Sequence, residues 1–325
     1  MKLKKLVLIL ISLLFSFSIY ASELTVMSFN IQGHGPGSKE HRIGKDKWED
    51  QIISVIEESQ AQLVLLQEFP TKNDKKSKAA IEKFLKKLKG VWKCETSVSY
   101  SLSNMDLNNA VLYNTKYLTL VNDLAKQAPF NMLAYKQNKQ EDTRKFKFIK
   151  NNEQILEFKH IDKPSKTFYI INIHLPAPDE NEKKNYEIGE IAKVYAIYKR
   201  KVPLIIAGDF NISRKELING SNLSDAIIDG NEGKYIDKWG QKTTVNQSKK
   251  EIQLKSDYDH FIISNNSLFS ISEQMHHVFS KDKKEGYEQL KIGKEIYTNS
   301  YDYHRGLSDH IPIMIKLKFK DNNEK

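Results

Sequence analysis

The chain has 325 residues, 51 Lys and Arg against 41 Asp and Glu, a formal net charge of +10 and a single cysteine, Cys94. With 39% hydrophobic residues and no low-complexity tract it is a globular sequence, not a disordered or fibrous one, and one cysteine excludes an internal disulfide framework. The positive balance suits a polyanionic substrate or an anionic membrane surface, while each local lysine run also reads as the solvated face of a helix.

In chain order the first segment reads as an export signal: Lys2, Lys4 and Lys5 precede the apolar residues 6–20, and the small pair Ala21-Ser22 follows. Cleavage after Ala21 is expected, which makes the protein secreted or periplasmic. An uncleaved anchor is the rival reading, and its apolar core falls short of the ~20 residues a spanning helix needs. Removal of Lys2, Lys4 and Lys5 takes the balance to +7. Residues 22–325 read as a single domain, since no Pro/Gly/Ser linker or repeat interrupts them.

Short runs rich in β-branched and aromatic residues predict strands at 24–29, 62–67, 110–113, 146–149, 167–173, 204–207, 261–264 and 312–317. Helical spacing places Trp48, Ile52, Val55 and Ile56 on one face, and Ile81, Phe84, Leu85 and Leu88 on a second within a lysine-rich run. A third helix carries Tyr186, Ile188, Ile191, Val194, Tyr195 and Tyr198 on one side. Strands mixed with helices over this length predict an α/β (α+β) protein with packed sheets and helices outside.

Polar residues collect at the strand ends. The apolar run 202–207 leads into Gly208-Asp209-Phe210-Asn211, and hydrophobic strands end in Ser28-Phe29-Asn30, Leu66-Gln67-Glu68 and Asn172-Ile173-His174. Ser308-Asp309-His310 precedes the last strand. Each triplet alone is a turn or a strand cap as readily as a site, but together they supply carboxylates, carboxamides and imidazoles. Hard oxygen donors at Asn30 and Glu68 suit Mg²⁺ or Mn²⁺, where Zn²⁺ would call for clustered Cys and His. His174 and His310 are the acid–base candidates.

This ordered set resembles the endonuclease/exonuclease/phosphatase superfamily, and His174-Leu175-Pro176-Ala177-Pro178, Arg144, Thr243-Thr244 and Tyr258-Asp259 are similar to its deoxyribonuclease I branch. The resemblance implies two β-sheets packed face to face and flanked by helices, a deoxyribonuclease I-like four-layer sandwich with its site at one edge. It implies metal binding at Asn30 and Glu68 with Asp309 nearby, and Ca²⁺ is left open. His310 oriented by Asp259 is then the base and His174 a phosphate stabiliser or general acid, with Asp209 a rival base and Asn211 orienting phosphate or water. Arg144 and Thr244 would contact the substrate's phosphates.

One departure stands out. The branch places a Glu just before the strand at 110–113 to orient the residue matching His174, where this chain has Asp106, Asn108 and Asn109. His260 and His304 read as bystanders. The function expected is an exported, divalent-metal-dependent endonuclease that cuts DNA with low sequence specificity, with no obligate protein partner implied. A membrane-lipid substrate, as for a phospholipase C-type sphingomyelinase, and an inositol-phosphate substrate are the alternatives. A fold-sharing binding protein without activity is disfavoured by the complete residue set.

Overall fold

Alternating side chains along short strands build two sheets in the computed structural model. It describes residues 23–33, 47–70, 75–97, 107–123, 154–175, 188–189, 191–193, 195–196, 203–220, 226–228, 242–245, 254–264, 269–277, 290–292, 295–297, 303 and 307–320. The signal expected at 1–21, the strand predicted at 146–149, Asp106, Arg144 and His304 lie outside them.

The strands are β1 (Glu23–Asn30), β2 (Leu63–Pro70), β3 (Trp92–Thr96), β4 (Leu107–Asn114), β5 (Leu118–Asp123), β6 (Gln154–His160) and β7 (Lys163–His174). They continue with β8 (Leu204–Asp209), β9 (Ala226–Ile228), β10 (Asp259–Ser264), β11 (Phe269–His277), β12 (Leu290–Ile292), β13 (Glu295–Tyr297) and β14 (Ile313–Phe319). Sheet I has the order β11-β14-β1-β2-β4-β3 and sheet II the order β5-β6-β7-β8-β10-β9, while β12 and β13 form a separate hairpin. The described helices are α1 (Lys47–Ser59), α2 (Lys75–Lys87) and α3 (Arg214–Gly220), with helical residues also at 188–189, 191–193 and 195–196.

Three buried clusters define the layers. Trp48, Ile52, Val55 and Ile56 of α1 and Phe84 of α2 pack on the outer face of sheet I, against Met27, Phe29, Leu66 and Phe69. Ile188, Ile191 and Tyr195 pack on the outer face of sheet II, against Ile173, Ile206 and Ile262. The third cluster lies between the sheets and includes Leu24, Val26, Leu63, Leu65, Ile170, Ile205 and Phe261. Two sheets with helices on both outer faces are the sandwich the resemblance implied. No helix among the described residues is long and apolar enough to cross a membrane.

The side chains that point between the sheets change character along each strand. On β1 they run Leu24, Val26, Ser28, Asn30, and on β7 Phe168, Ile170, Asn172, His174. On β8 they run Ile205, Ala207, Asp209, and on β10, in reverse, Ile263, Phe261, Asp259. An apolar floor therefore leads to a polar layer and then to the ionisable groups, all at one end of the sandwich. The pairs β1/β2 and β7/β8 are parallel, so their carboxyl ends open toward that same edge, the usual place for a ligand in sheets of this kind.

A buried histidine far along β6 gives the fold a pH signature. His160 is fully buried, its ring lies 5.0 Å from that of Phe319, and its Nδ1 accepts the Asp162 N–H at 3.3 Å. Burial lowers its pKa, aided by Lys163 and opposed by Asp162, so the native state holds it neutral. The unfolded chain takes up this proton below about pH 6.5, which makes stability fall as pH drops through that value, by at most about 1.4 kcal/mol per pH unit. Urea midpoints at pH 7 and pH 5 are expected to converge when His160→Phe is compared with wild type over the same interval. Parallel pH dependences of the two proteins would remove His160 from the account.

Candidate active site

Three adjacent strands carry three ionisable residues in a row. His174 pairs with Asp209 across the parallel β7/β8 ladder, and Asp209 pairs with Asp259 across the antiparallel β8/β10 ladder. The close approach of β8 to β7 depends on Gly208, which has φ +148°. A Cβ there would stand 1.9 Å from the Ile173 carbonyl oxygen, so no other residue fits without moving a strand. Asn211 follows at φ +50°, with its N–H donating to Asp209 Oδ1 at 2.8 Å and its Nδ2 donating to the Leu175 carbonyl at 2.8 Å.

On sheet I a β-bulge delivers Glu68. The pairing runs Leu66↔Ala110 and then Phe69↔Asn108, so Gln67 and Glu68 together oppose Asn109. The extra residue reverses the alternation: Phe69 enters the outer cluster with Leu66 and Val64, and Glu68 adopts φ +55°. A non-glycine residue in that region costs of order 1–3 kcal/mol, a strain found where a side chain is aimed for use. Glu68 Oε1 accepts Asn30 Nδ2 at 3.1 Å, and the same nitrogen donates to Asp209 Oδ2 at 3.0 Å. The Asn30 amide thus joins the carboxylates of the two sheets, while its Oδ1 accepts the Gln32 N–H at 3.0 Å.

The Ser308-Asp309-His310 segment is held from several sides. Trp48 Nε1 of α1 donates to the Leu307 carbonyl at 2.9 Å, Ser308 Oγ donates to the Asn30 carbonyl at 2.7 Å, and Tyr303 Oη donates to the His310 carbonyl at 2.9 Å. The His310 ring is 7% exposed and lies between the two facing carboxylates, with Nδ1 at 2.7 Å from Asp259 Oδ2 and Nε2 at 3.5 Å from Asp209 Oδ2. Burial by itself lowers its pKa, but Asp259, Asp209 and Asp309 outweigh that and raise it well above the ordinary value. The carboxylates around it therefore favour the charged form of the ring. Asp309 is at the rim, with its Oδ1 at 3.9 Å from His310 Nε2. His174 is 25% exposed and places Nε2 at 3.8 Å from Glu68 Oε1 and 3.7 Å from Asp209 Oδ2.

Asn30, Glu68, His174, Asp209, Asn211, Asp259, Asp309 and His310 thus converge on one edge, though none of their separations in sequence announces it. Thr244 pairs with His310 as an isolated bridge, but its hydroxyl accepts the Ser256 N–H at 3.0 Å, so the group expected to meet phosphate is engaged within the fold. Its neighbour Thr243 is fully buried and accepts the N–H groups of Tyr258 and Asp259, both at 3.1 Å. These threonines hold the Asp259 and His310 segments together. His260 is buried with Nε2 at 3.0 Å from the Ile212 carbonyl, which is the bystander place expected for it. The orienting Glu absent before β4 has no substitute in Asn109, whose Nδ2 donates to the Asn172 carbonyl at 3.1 Å.

Glu68, Asp209 and Asp309 offer hard carboxylate oxygens, and Asp209, Asp259 and His310 have ligand atoms within 4.8 Å of one another. The carboxylate oxygens are of the type that Mg²⁺ or Mn²⁺ takes, while His310 Nδ1 is already engaged with Asp259. Asn30 fits less directly, because its amide presents Nδ2 to the carboxylates; as an oxygen ligand it must turn over and release Gln32.

A carboxylate-paired imidazole beside hard oxygen donors, at the edge of a two-sheet sandwich, can support hydrolysis of a phosphoester. The chain belongs to the Endonuclease/Exonuclease/phosphatase family, whose model matches residues 27–310. Members of this family are hydrolytic phosphoesterases that use divalent metals. Among solved structures, the chain is similar to an endonuclease/exonuclease/phosphatase family protein of Bacteroides thetaiotaomicron, at 17% identity and TM-score 0.60 over 92% of this chain and 99% of that one. A mannosyl-6-phosphatase from the same organism gives 16% identity and TM-score 0.59 over 91% and 100%. D. rerio TDP2 complexed with single strand DNA product gives 14% identity and TM-score 0.56 over 91% and 99%. No curated protein matches.

Proposed function

We propose that the protein is an exported, Mg²⁺- or Mn²⁺-dependent endonuclease that hydrolyses DNA phosphodiesters with low sequence preference. The observation that carries this reading is the row His174, Asp209, Asp259 with His310 held between the two carboxylates. DNA is favoured over other phosphoesters by the +7 balance expected of the processed chain and by the likeness to TDP2, solved with a DNA product. Arg144 is the remaining candidate for a backbone phosphate contact.

Glu68, Asp309 and Asn30 with its amide turned would hold the cation, which supplies charge neutralisation and polarisation at the phosphate. His310, held through Nδ1 by Asp259 at 2.7 Å, which favours the charged ring, donates from Nε2 to a phosphate oxygen and stabilises the growing negative charge. Carboxylates on both sides of this ring suit it to holding a proton more than to taking one from water, so we assign the base role to Asp209, the rival named from the resemblance, whose Oδ2 lies 3.5 Å from His310 Nε2 and 3.7 Å from His174 Nε2. His174 Nε2 serves the phosphate or the leaving oxygen from the other side. Asn211 holds the Asp209 carboxylate in place through its N–H.

Incubating the purified protein with supercoiled plasmid, sphingomyelin vesicles and sugar phosphates in Mg²⁺ tests the substrate. Nicking by wild type and not by His310→Ala, falling steeply as NaCl rises because phosphate contacts release counterions, is the expected outcome. Choline-phosphate release without nicking would favour the lipid, and phosphate release from a sugar phosphate without nicking would favour a phosphatase like the mannosyl-6-phosphatase it resembles. For export, the mature N-terminus is expected at Ser22; recovery of the intact precursor from the membrane fraction would overturn that.

A further inference from the structure

Beneath the ionisable groups lies a fully buried polar layer that joins the two sheets. Asn172 reaches from β7 of sheet II to sheet I, where its Nδ2 donates to the carbonyls of Leu66 and Ala110, both at 3.0 Å. Those two residues form the last regular pair before the β2 bulge. The other end of the carboxamide, Oδ1, accepts Gln67 Nε2 at 2.7 Å, and the same nitrogen lies 3.3 Å from Ser28 Oγ. Gln67, Asn172 and Ser28 have no exposed surface. A side chain from one sheet therefore grips, at three points, the place in the other sheet where the alternation of β2 is reversed.

We propose that Asn172 is a positioning residue: its carboxamide pins the bulge that turns Glu68 into the site, and so holds the Glu68 half of the site in register with the His174 half. A bulge leaves backbone groups without their regular ladder partners and lets a strand slip. Buried carbonyls require a donor, and the two N–H groups of Asn172 Nδ2 supply one to each strand. Asn172 and His174 share one face of β7, two residues apart, so the grip also sets how far His174 stands from Glu68. This role concerns the cation-holding half of the proposed phosphodiesterase and rests on that reading only for its consequence to metal binding.

Two readouts test it without measuring catalysis. In Asn172→Ala, hydrogen exchange of the Glu68 and Phe69 amides is expected to quicken at least tenfold relative to Val64 and Leu65 in the same strand. Mn²⁺ affinity, followed by electron paramagnetic resonance, is expected to weaken about 10- to 100-fold, the range for groups that orient a metal ligand. Adding Asn172→Ala to Glu68→Gln should then weaken Mn²⁺ binding little further. Uniformly faster exchange along β2 with Mn²⁺ affinity within about twofold of wild type, or full additivity with Glu68→Gln, would show that Asn172 merely fills the core and overturn the proposal. Should Asn172→Ala not fold, Gln67→Met removes the bond that fixes which end of the carboxamide faces the bulge, together with the longer contacts of Gln67 Nε2 to Ser28 Oγ and the Leu65 carbonyl, and the same contrast is expected at several-fold. A wild type that cleaves no phosphodiester leaves both readouts standing; one that binds no Mn²⁺ leaves the exchange contrast to decide.

Discussion

Replacing His310 with alanine is expected to slow phosphodiester hydrolysis by about 10²- to 10⁴-fold, the span typical of a positioned proton donor or acceptor. The ring stands between Asp259 and Asp209, so its loss also leaves these two facing each other across β8 and β10, an unfavourable like-charge pair. Asp259→Asn should cost activity through His310, because an amide no longer accepts from Nδ1 with a full charge and loosens the ring. If the two act as one unit, the double variant is little worse than His310→Ala alone; a loss equal to the product of the single effects would separate them. The pH–rate profile assigns the proton: the rate should fall as pH rises through the titration of His310, and a rate that climbs there would return the base role to His310 from Asp209. Stability carries the same sign. A histidine whose folded pKa is raised contributes stability that is complete below about pH 6.5 and is lost as pH rises through the folded value, so His310→Ala should be most destabilising in mildly acidic solution.

Removal of divalent metal is expected to abolish turnover. Glu68 and Asp209 share one donor, Asn30 Nδ2, and a single amide does not neutralise a phosphate arriving beside two carboxylates. EDTA should bring the rate to background and Mg²⁺ or Mn²⁺ should restore it, while full turnover in EDTA after exhaustive dialysis would defeat the cation assignment. Glu68→Gln keeps the shape of the bulge but removes a charged ligand, so the metal concentration for half-maximal rate should rise about tenfold or more with the fold intact. Binding to the native state alone also stabilises it, by about 2.7 kcal/mol at a hundredfold excess over the dissociation constant. Thermal unfolding with and without Mn²⁺ therefore checks the same assignment with no substrate present: wild type should gain markedly and Glu68→Gln much less.

Which strands the sequence disclosed follows from where they sit. The predicted runs at 24–29, 62–67, 110–113 and 312–317 became β1, β2, β4 and β14, the inner strands of sheet I, and those at 167–173, 204–207 and 261–264 became β7, β8 and β10 within sheet II. Inner strands are covered on both faces and read as near-continuous apolar runs. The edge strands β3, β5, β9 and β11 went unread, as did β6 beside the edge, because strands such as Trp92–Thr96 are only half-buried and carry polar residues that guard an open edge. The helices of Trp48 and Phe84 were legible for the complementary reason, a 3.6-residue apolar stripe standing out against polar residues, acidic in the first and lysine-rich in the second.

The chemical character of the site was also written in the chain, since Asn, Glu, His and Asp at the ends of hydrophobic strands have no apolar partner to seek. What the chain alone left open was which of them meet. Asn30 and Asp209 are 179 residues apart yet 3.0 Å in space, and only the parallel register of β7 and β8 sets His174 beside Asp209. The rise in the His310 pKa likewise depends on Asp259 and Asp209, 51 and 101 residues away in sequence, besides its neighbour Asp309. Glu68 shows the division most clearly: strict alternation would send it to the outer face with Leu66, and an extra residue opposite Asn109, gripped from the other sheet by Asn172, turns it inward. Periodicity is a local property, so sequence alone reports which residues form strands, whereas register and bulges are settled by partners across the sandwich and exist only in the tertiary structure.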